Sequence, residues 1–348
     1  MQEREEKGHP LGLHRVLGGE AKLPQAAGRL DNQLPIYSNE ILINVERLNI
    51  DAASFVQMEE ESRGNADKIG RTILENTRSF GKQQNKVTGS GGMLIGEIAA
   101  IGKKNKTKLK KGDRVATLVS LTLTPLHLEK IKSVDTKTHQ VAVEGHAILF
   151  EKTIVEKLPK DLPETVAMAA FDVAGAPATV AAICRPGDTL VVIGAGGKAG
   201  ILSCVAGRRK LGKSGKIVAI EPGARAAADL EKLNVCNEIL KIDATDPLAV
   251  QSGVEKATRG KMGSVVINVA SVANTEMSSL LSARSKGKVV FFSMATSFTR
   301  VALGAEGILA DALLIFGNGY YPGHGKTTLD LIRKSKPLYL LFCERYQA

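Results

Sequence analysis

Tryptophan is absent from this 348-residue sequence, and aromatic residues make up only 4% of it. Proteins that bind single-stranded nucleic acid stack bases on aromatic side chains, so the composition argues against that class. The four cysteines, Cys184, Cys204, Cys236 and Cys343, are widely scattered. No two of them have the close spacing of a zinc knuckle or a redox pair, which indicates a reduced, cytoplasmic protein.

Long apolar runs are also missing. A membrane-spanning helix needs roughly 20 apolar residues, and the longest runs, such as Ser264–Ala273, are much shorter. Residues 1–10 are charged and contain no apolar core of a secretion signal. With 43% hydrophobic and 24% charged residues, we expect a globular protein of about two domains with no membrane partner.

The net charge of +11 is concentrated in Lys103–Lys111, which we interpret as a solvated loop. Nucleic-acid binding requires basic residues on one face of a recognisable module, and the sequence contains no such module. We therefore predict no nucleic-acid partner. Long-range attraction still favours anionic ligands such as a dinucleotide or a carboxylate substrate.

The two halves of the chain have different patterns. Asn39–Leu48 alternates apolar and polar residues, and Gly89–Gly102 is a glycine-punctuated apolar run. Short strands separated by such turns predict a barrel or sandwich, with residues 56–88 as a helical insertion. After residues 159–163, an Ala-rich helical stretch over Glu164–Cys184 leads into alternating strands and helices. Their strands, such as Thr189–Ile193, are almost wholly apolar, which predicts a doubly wound parallel sheet.

A glycine-rich turn in Val191–Gly200 is the strongest local signal, because it follows a predicted strand and opens a predicted helix. Such a turn brings backbone N–H groups and the positive end of the helix to a pyrophosphate. Gly194 permits the turn, Gly196 the close approach, and Ala199 takes the third small position. The candidate cofactor-binding residues of this turn are Gly194, Gly196, Gly197, Lys198 and Ala199.

Other candidate cofactor residues follow later strands. Glu221 ends the second strand and can accept hydrogen bonds from the ribose hydroxyls, which favours NAD. Arg225 could contact an adenosine phosphate, so NADP remains an alternative. Asn268 and Ser271 lie at the end of a third strand, Ser264–Val269, and are expected near the ribose on the nicotinamide side.

Most of residues 30–348 resembles the medium-chain dehydrogenase/reductase superfamily of alcohol dehydrogenases. The resemblance lies in Asn39–Asp51, Gly96–Val115, Lys157–Ala170 and Val191–Gly200. It implies an α/β protein with an N-terminal GroES-like β-barrel catalytic domain and a Rossmann domain. We expect the barrel domain at residues 1–158, with 320–348 returning to it, and the Rossmann domain at 159–319. A homodimer is expected because edge strands of the cofactor sheet need covering.

Within that superfamily the sequence is similar to the L-erythro-3,5-diaminohexanoate dehydrogenase family. Long, unusual strings carry the similarity, among them Val87–Met93, Ala116–Leu126, Ala170–Ala178 and Phe292–Gly307. The resemblance implies the family's reaction in lysine fermentation. NAD(P) oxidises the amine at C3 to an imine, and water then releases ammonia and 5-amino-3-oxohexanoate.

Zinc-dependent members of the superfamily bind zinc through a Cys, a His and a later Cys or Asp. The resemblance aligns these positions near Asp51, Gly92 and Asp172, so neither a thiolate nor an imidazole is present and we predict a metal-free site. Asp51 and Asp172 are the candidate catalytic residues. Carboxylates bind substrate ammonium groups, and in a desolvated cleft one can act as the base. Alternatively, each is an ordinary turn or cap residue.

Four further residues are candidates for substrate binding. Ser90 and Ser293 could donate hydrogen bonds, Arg300 could hold the carboxylate in a bidentate fork, and Tyr320 could line the cleft. A solvated Arg300 and a packed Tyr320 are the structural alternatives. The functional alternatives are a zinc-free NADPH-dependent quinone or enoyl reductase, a non-catalytic dinucleotide sensor and a nucleic-acid-binding protein.

Overall fold

The computed structural model of the protein describes residues 4–19, 22–85, 89, 91–118, 120–317 and 319–347. Contacts within the chain divide it into two compact units, Met1–Met168 and Ala169–Ala348.

The first unit is built on a six-stranded antiparallel sheet with the strand order β6-β7-β3-β4-β5-β8. A separate two-stranded ribbon pairs β1 with β2. The strands are β1 (Val16–Leu17), β2 (Arg29–Leu30), β3 (Ile41–Asn49), β4 (Met93–Ile101), β5 (Arg114–Thr117), β6 (Leu126–Asp135), β7 (Gln140–Leu149) and β8 (Val155–Lys157). The helices are α1 (Ala52–Ser62), α2 (Ala66–Phe80) and α3 (Glu164–Phe171), the last of which crosses into the second unit.

Alternating residues of the sheet form the core of this unit. Leu48, Ile98 and Val143, from three neighbouring strands, are fully buried in one apolar cluster. Ile69 and Ile73, one helical turn apart on α2, join the same cluster. The predicted insertion is therefore helical and packs on the barrel sheet, although its first helix begins four residues earlier than expected.

A buried ion network holds the N-terminal segment to this unit. Arg15 is fully buried, and its Nε and Nη2 donate to the Glu40 carboxylate at 3.0 and 2.7 Å. His14 Nε2 lies 2.8 Å from Glu40 Oε1.

A second buried cation, Lys82, contacts the same N-terminal segment. Lys82 donates to the carbonyl oxygens of Pro24 and Gln25 at 3.0 and 3.1 Å, and burial lowers the pKa of Lys82 to about 8.

Replacing Arg15 by methionine should destabilise this unit by about 3–5 kcal/mol, because it leaves the Glu40 carboxylate buried without its main counter-charge. Denaturant unfolding of the full chain measures the loss, with the exposed Arg78→Met as control. A decrease in the free energy of unfolding below 1 kcal/mol would contradict the assignment of Arg15 as the main counter-charge of Glu40.

The same network has an expected pH dependence. Burial raises the pKa of Glu40, but hydrogen bonds to His14 and Arg15 lower it more, so the net shift from 4.5 is downward. Its stabilising effect should therefore be complete above pH 4.5 and disappear as the pH falls below it.

The second unit contains a six-stranded, fully parallel sheet with the strand order β11-β10-β9-β12-β13-β14. The strands are β9 (Thr189–Ile193), β10 (Lys216–Ile220), β11 (Glu238–Leu240), β12 (Gly263–Asn268), β13 (Ala283–Phe291) and β14 (Leu313–Phe316). The helices are α4 (Gly175–Ile183), α5 (Lys198–Leu211), α6 (Ala224–Leu233), α7 (Pro247–Thr258), α8 (Glu276–Leu281), α9 (Phe298–Gly307), α10 (His324–Arg333) and α11 (Lys336–Tyr346).

This sheet confirms the predicted doubly wound fold. The chain moves outward from β9 through β10 to β11, then returns to the other side of β9 and continues to β14. All residues of β12 are buried, as expected for strands covered by helices on both faces. The expected single helical stretch over Glu164–Cys184 is wrong in one respect, because a turn at residues 172–174 divides it into α3 and α4.

The division by contacts differs from the domain bounds expected from the sequence. It falls at 168/169 instead of 158/159 and keeps residues 320–348 with the second unit. There α10 packs against α4 and α5, and α11 against α6. The functional domain bounds stay a prediction.

Over the described residues, no individual helix has the length and apolar character to cross a membrane. Only α3 and α4 counted together pass that test, and a bend separates them.

Candidate cofactor and substrate site

The carboxyl ends of the central strands of the second unit meet at one edge of its sheet. Ile193 at the end of β9 is paired with Ile220 on one side and Asn268 on the other, and Asn268 is paired with Phe291. The winding direction reverses at β9, which makes this edge the topological switch point where open α/β sheets bind ligands. The predicted residues Gly194, Glu221 and Ser293 follow these strand ends.

The turn after β9 has the backbone geometry that the glycines predict. Gly194 has a φ of +79°, and a Cβ there would lie 2.6 Å from the Cα of Ala270. A Cβ on Gly196 would lie 2.5 Å from the Cβ of Ala226 and 2.6 Å from a Glu221 carboxylate oxygen. These positions admit only glycine without rearrangement.

Helix α5 begins directly after this turn. Gly197 is its N-cap, and a Cβ there would meet nothing closer than 3.8 Å. The approach to the helix N-terminus is thus open on the Gly197 side, where backbone N–H groups can bind a phosphate. Gly200, which the sequence analysis did not single out, packs closely beneath the turn, since a Cβ there would lie 2.4 Å from the Gly194 carbonyl oxygen. Ala199 is half-buried.

Glu221 is joined to the turn by its side chain. Its Oε2 accepts a hydrogen bond from the N–H of Gly196, and its Oε1 accepts one from the N–H of Gly223, both at 2.9 Å. The carboxylate is half-buried and lies directly after β10. It therefore stands at the position from which an acidic residue binds ribose hydroxyls.

Arg225 is mostly in solvent. Its side chain is 82% exposed and lies 3.5 Å from Glu344. The arginine that does reach the turn is Arg345 on α11, whose Nη1 donates to the Gly196 carbonyl oxygen at 2.8 Å. The two residues are 149 positions apart, and no local pattern in the sequence points to Arg345.

Asn268 is fully buried, and its side chain organises the loop after β12. The amide nitrogen donates to Thr275 Oγ1 at 2.8 Å and to Ser279 Oγ at 2.9 Å. The amide oxygen accepts from the N–H of Ala270 at 3.1 Å, the residue against which Gly194 packs. Its observed contacts are those of a positioning residue. Ser271 is exposed in the same loop.

The predicted substrate-binding residues are dispersed. Ser293 is half-buried after β13, and its hydroxyl accepts from the Ala295 N–H at 3.2 Å. Arg300 is exposed on the first turn of α9. Tyr320 is also exposed, with its ring 5.5 Å from that of His324. Ser90 lies outside the described residues.

Asp172 and Lys198, predicted separately, form one ion pair. Lys198 Nζ lies 2.5 Å from Asp172 Oδ2, with both side chains largely buried. Asp172 is in the turn between α3 and α4, and Lys198 is the first residue of α5. The acid therefore lies beside the glycine turn that precedes α5. This contact links a candidate catalytic residue to the candidate cofactor site.

Asp51 belongs to the first unit and is the N-cap of α1. Its Oδ1 accepts from the Ser54 N–H at 3.0 Å, which is the contact of a helix cap, and its catalytic role stays a prediction. Its Oδ2 is buried and has no hydrogen-bond partner in the structure that is described. Leaving a buried carboxylate oxygen unpaired costs free energy. A functional role for Asp51 is therefore compatible with its role as the helix cap.

Within the described part of the chain, no three His, Cys, Asp or Glu side chains converge as a metal site requires. The metal-free active site remains a prediction, which elemental analysis of the purified protein can test.

An antiparallel GroES-like sheet and a Rossmann sheet with this glycine turn define a medium-chain dehydrogenase/reductase fold. An alcohol dehydrogenase from Thermotoga maritima shares that fold, with a TM-score of 0.57 and 13% identity, over 90% of this chain and 85% of its own.

Closer relatives identify the family. The N-terminal domain model of L-erythro-3,5-diaminohexanoate dehydrogenase matches residues 14–159. The enzymes of that name from Acetoanaerobium sticklandii and Fusobacterium nucleatum are 45% and 44% identical to this chain, and each match covers 98% of this chain and 99% of the relative. The chain belongs to the L-erythro-3,5-diaminohexanoate dehydrogenase family.

Proposed function

We propose that this protein catalyses the NAD-dependent oxidative deamination of L-erythro-3,5-diaminohexanoate to 5-amino-3-oxohexanoate and ammonia. The observation that carries the proposal is the glycine turn at the switch point of the parallel sheet, in a chain 45% identical over 342 residues to an enzyme of that name. The bound dinucleotide would supply the hydride acceptor.

The dinucleotide fits the residues present. The space beside Gly197 at the start of α5 is open, and the absent Cβ atoms of Gly194 and Gly196 allow close backbone approach. Lys198 adds a positive charge at the same helix end. Glu221 favours NAD over NADP, because its carboxylate can accept from the ribose hydroxyls and would repel a 2′-phosphate.

The substrate carries two ammonium groups, and Asp172 and Asp51 are each proposed, independently, as an acid that binds one of them. Asp172 accepts the proton of the C3 ammonium group, because only a neutral amine can lose hydride. Lys198 holds this carboxylate in place. Asp51, through its unpaired Oδ2, binds an ammonium group by a charge-assisted hydrogen bond. Neither step needs a metal ion.

We further propose a cytoplasmic homodimer. The scattered cysteines support the cytoplasmic location. The edge strand β14 supports the dimer, because its Leu313 and Phe316 are exposed. Phe316 contacts the exposed Phe298 of α9, with ring centroids 5.3 Å apart, and a second copy of the chain would cover this apolar edge.

The reverse reaction tests the proposed activity. With 5-amino-3-oxohexanoate and NADH, oxidation of NADH should require ammonia and should continue after chelation and dialysis. The control omits ammonia. An enoyl or quinone reductase has no use for ammonia, so NADPH oxidation by a quinone or an enoyl substrate at an ammonia-independent rate would overturn the proposal. Metal analysis of the active protein tests the metal-free prediction.

A further inference from the structure

The C-terminal helix α11 contacts the phosphate-binding turn through a buried ion pair. Arg345 donates through Nη1 to the Gly196 carbonyl oxygen at 2.8 Å. Its Nε and Nη2 donate to Oδ2 of Asp229 on α6 at 3.2 and 2.5 Å. The side chains of Arg345 and Asp229 are 17% and 5% exposed. The guanidinium group of Arg345 thus contacts both the Asp229 carboxylate and the backbone of the turn.

The peptide between Gly196 and Gly197 needs such an anchor. Glycine lies on both sides of it, so side-chain sterics do little to fix its orientation. In a trans peptide the C=O and the following N–H point in opposite directions. The hydrogen bond to Gly196 O therefore also directs the N–H of Gly197.

That N–H is at the ligand-binding end of α5. Within the turn it lies 3.4 Å from the Gly194 carbonyl oxygen, which is a long and weak hydrogen bond. A phosphate oxygen at the helix N-terminus is a better acceptor for it. The orientation of this single peptide thus decides whether the turn presents a donor or an acceptor there.

We propose that Arg345 is a positioning residue for the dinucleotide, holding the Gly196–Gly197 peptide so that its N–H faces the pyrophosphate. This inference rests on the cofactor role proposed for the turn. Arg345 acts only through the backbone, and Asp229 fixes the direction of its guanidinium group. Burial raises the pKa of Asp229, but the hydrogen bonds from Arg345 lower it by more. The net shift is downward, so the pair is ionised.

Equilibrium binding to the full-length protein tests the inference, with NAD, ADP-ribose and adenosine as probes. Arg345→Met should weaken NAD and ADP-ribose binding about tenfold or more, as expected for the loss of a charge-assisted hydrogen bond. Adenosine binding should not change, and kcat at saturating NAD should stay within about twofold, because the residue acts on pyrophosphate binding alone. Arg345→Lys should recover part of the affinity. Lys232→Met is the matched control, since Lys232 contacts Asp229 at 3.6 Å from a position 75% exposed.

Unchanged NAD affinity in Arg345→Met would overturn the inference, and so would an equal loss for adenosine, which would indicate general disorder. If Arg345→Met does not fold, Asp229→Asn should weaken NAD and ADP-ribose binding but not adenosine binding, and unchanged NAD affinity there would overturn the inference. Failure of the unaltered protein to bind NAD or NADP would overturn the proposed function as well. If the unaltered protein binds NAD and Arg345→Met binds it equally well, this inference alone is overturned.

Discussion

Replacing Asp172 by asparagine is expected to lower kcat by about 1000-fold, within the range for loss of a general base. Asparagine keeps the shape of the side chain but cannot accept the proton of the substrate's ammonium group. The steady-state rate of deamination and the NAD dissociation constant should both be measured. We expect NAD binding to change much less than kcat, because Lys198 remains at the helix end.

Two further variants separate the role of Asp172 from those of Lys198 and Asp51. Lys198→Met should raise the KM for NAD while kcat falls less than about tenfold. Asp51→Asn tests the second acid without loss of the α1 cap, because asparagine caps helices about as well as aspartate. Equal losses of kcat in the Asp172 and Lys198 variants would show that Asp172 only positions Lys198. A larger loss in the Asp51 variant would identify Asp51 as the base.

Replacing Glu221 by glutamine should lower kcat/KM with NAD by about 100-fold, because the charged acceptor of the ribose hydroxyls is lost. One of the two hydrogen bonds from Gly196 and Gly223 is lost as well, since an amide has a single acceptor oxygen. The same variant should gain efficiency with NADP, because the repulsion of the 2′-phosphate is removed. Initial rates with both cofactors measure the two effects.

Glu238→Gln is the control for this substitution, because Glu238 is an exposed carboxylate at the opposite, amino-terminal end of β11. It should leave both cofactor efficiencies unchanged. The assignment of Glu221 to the ribose would be wrong if the unaltered protein used NADP better than NAD, or if Glu221→Gln preserved the preference.

The cofactor turn was predictable because its determinants are adjacent in the sequence. The predicted strand Thr189–Ile193 coincides with β9, and the glycines that follow have the backbone geometry that their position requires. The apolar pattern indicates only the second half of β13, because the first half, from Ala283, is largely exposed and lacks the pattern of a buried strand.

Longer-range features were not predictable in the same way. The break between α3 and α4 is different, because it has a local signal: Pro177 lies in the first turn of α4, where proline is tolerated, whereas in one continuous helix it would occupy the interior. The contact of Arg345 with Asp229 joins residues 116 positions apart, and the pairing of Asp172 with Lys198 joins a turn to the start of a later helix. A single sequence contains no period or motif that records such pairs.

The pairing of Asp172 with Lys198 also bears on the order of events in turnover. On the roles proposed for these two residues, a dinucleotide phosphate near Lys198 would compete with Asp172 for the positive charge of the lysine. Binding of the dinucleotide would then increase the attraction of the Asp172 carboxylate for the substrate's ammonium group. Thermodynamic linkage requires the reverse as well: binding of the diamine would raise the affinity for the dinucleotide by the same factor. The proposed roles therefore predict that the complex with the dinucleotide attracts the amine more strongly than the free protein does, which favours ordered binding with the dinucleotide first.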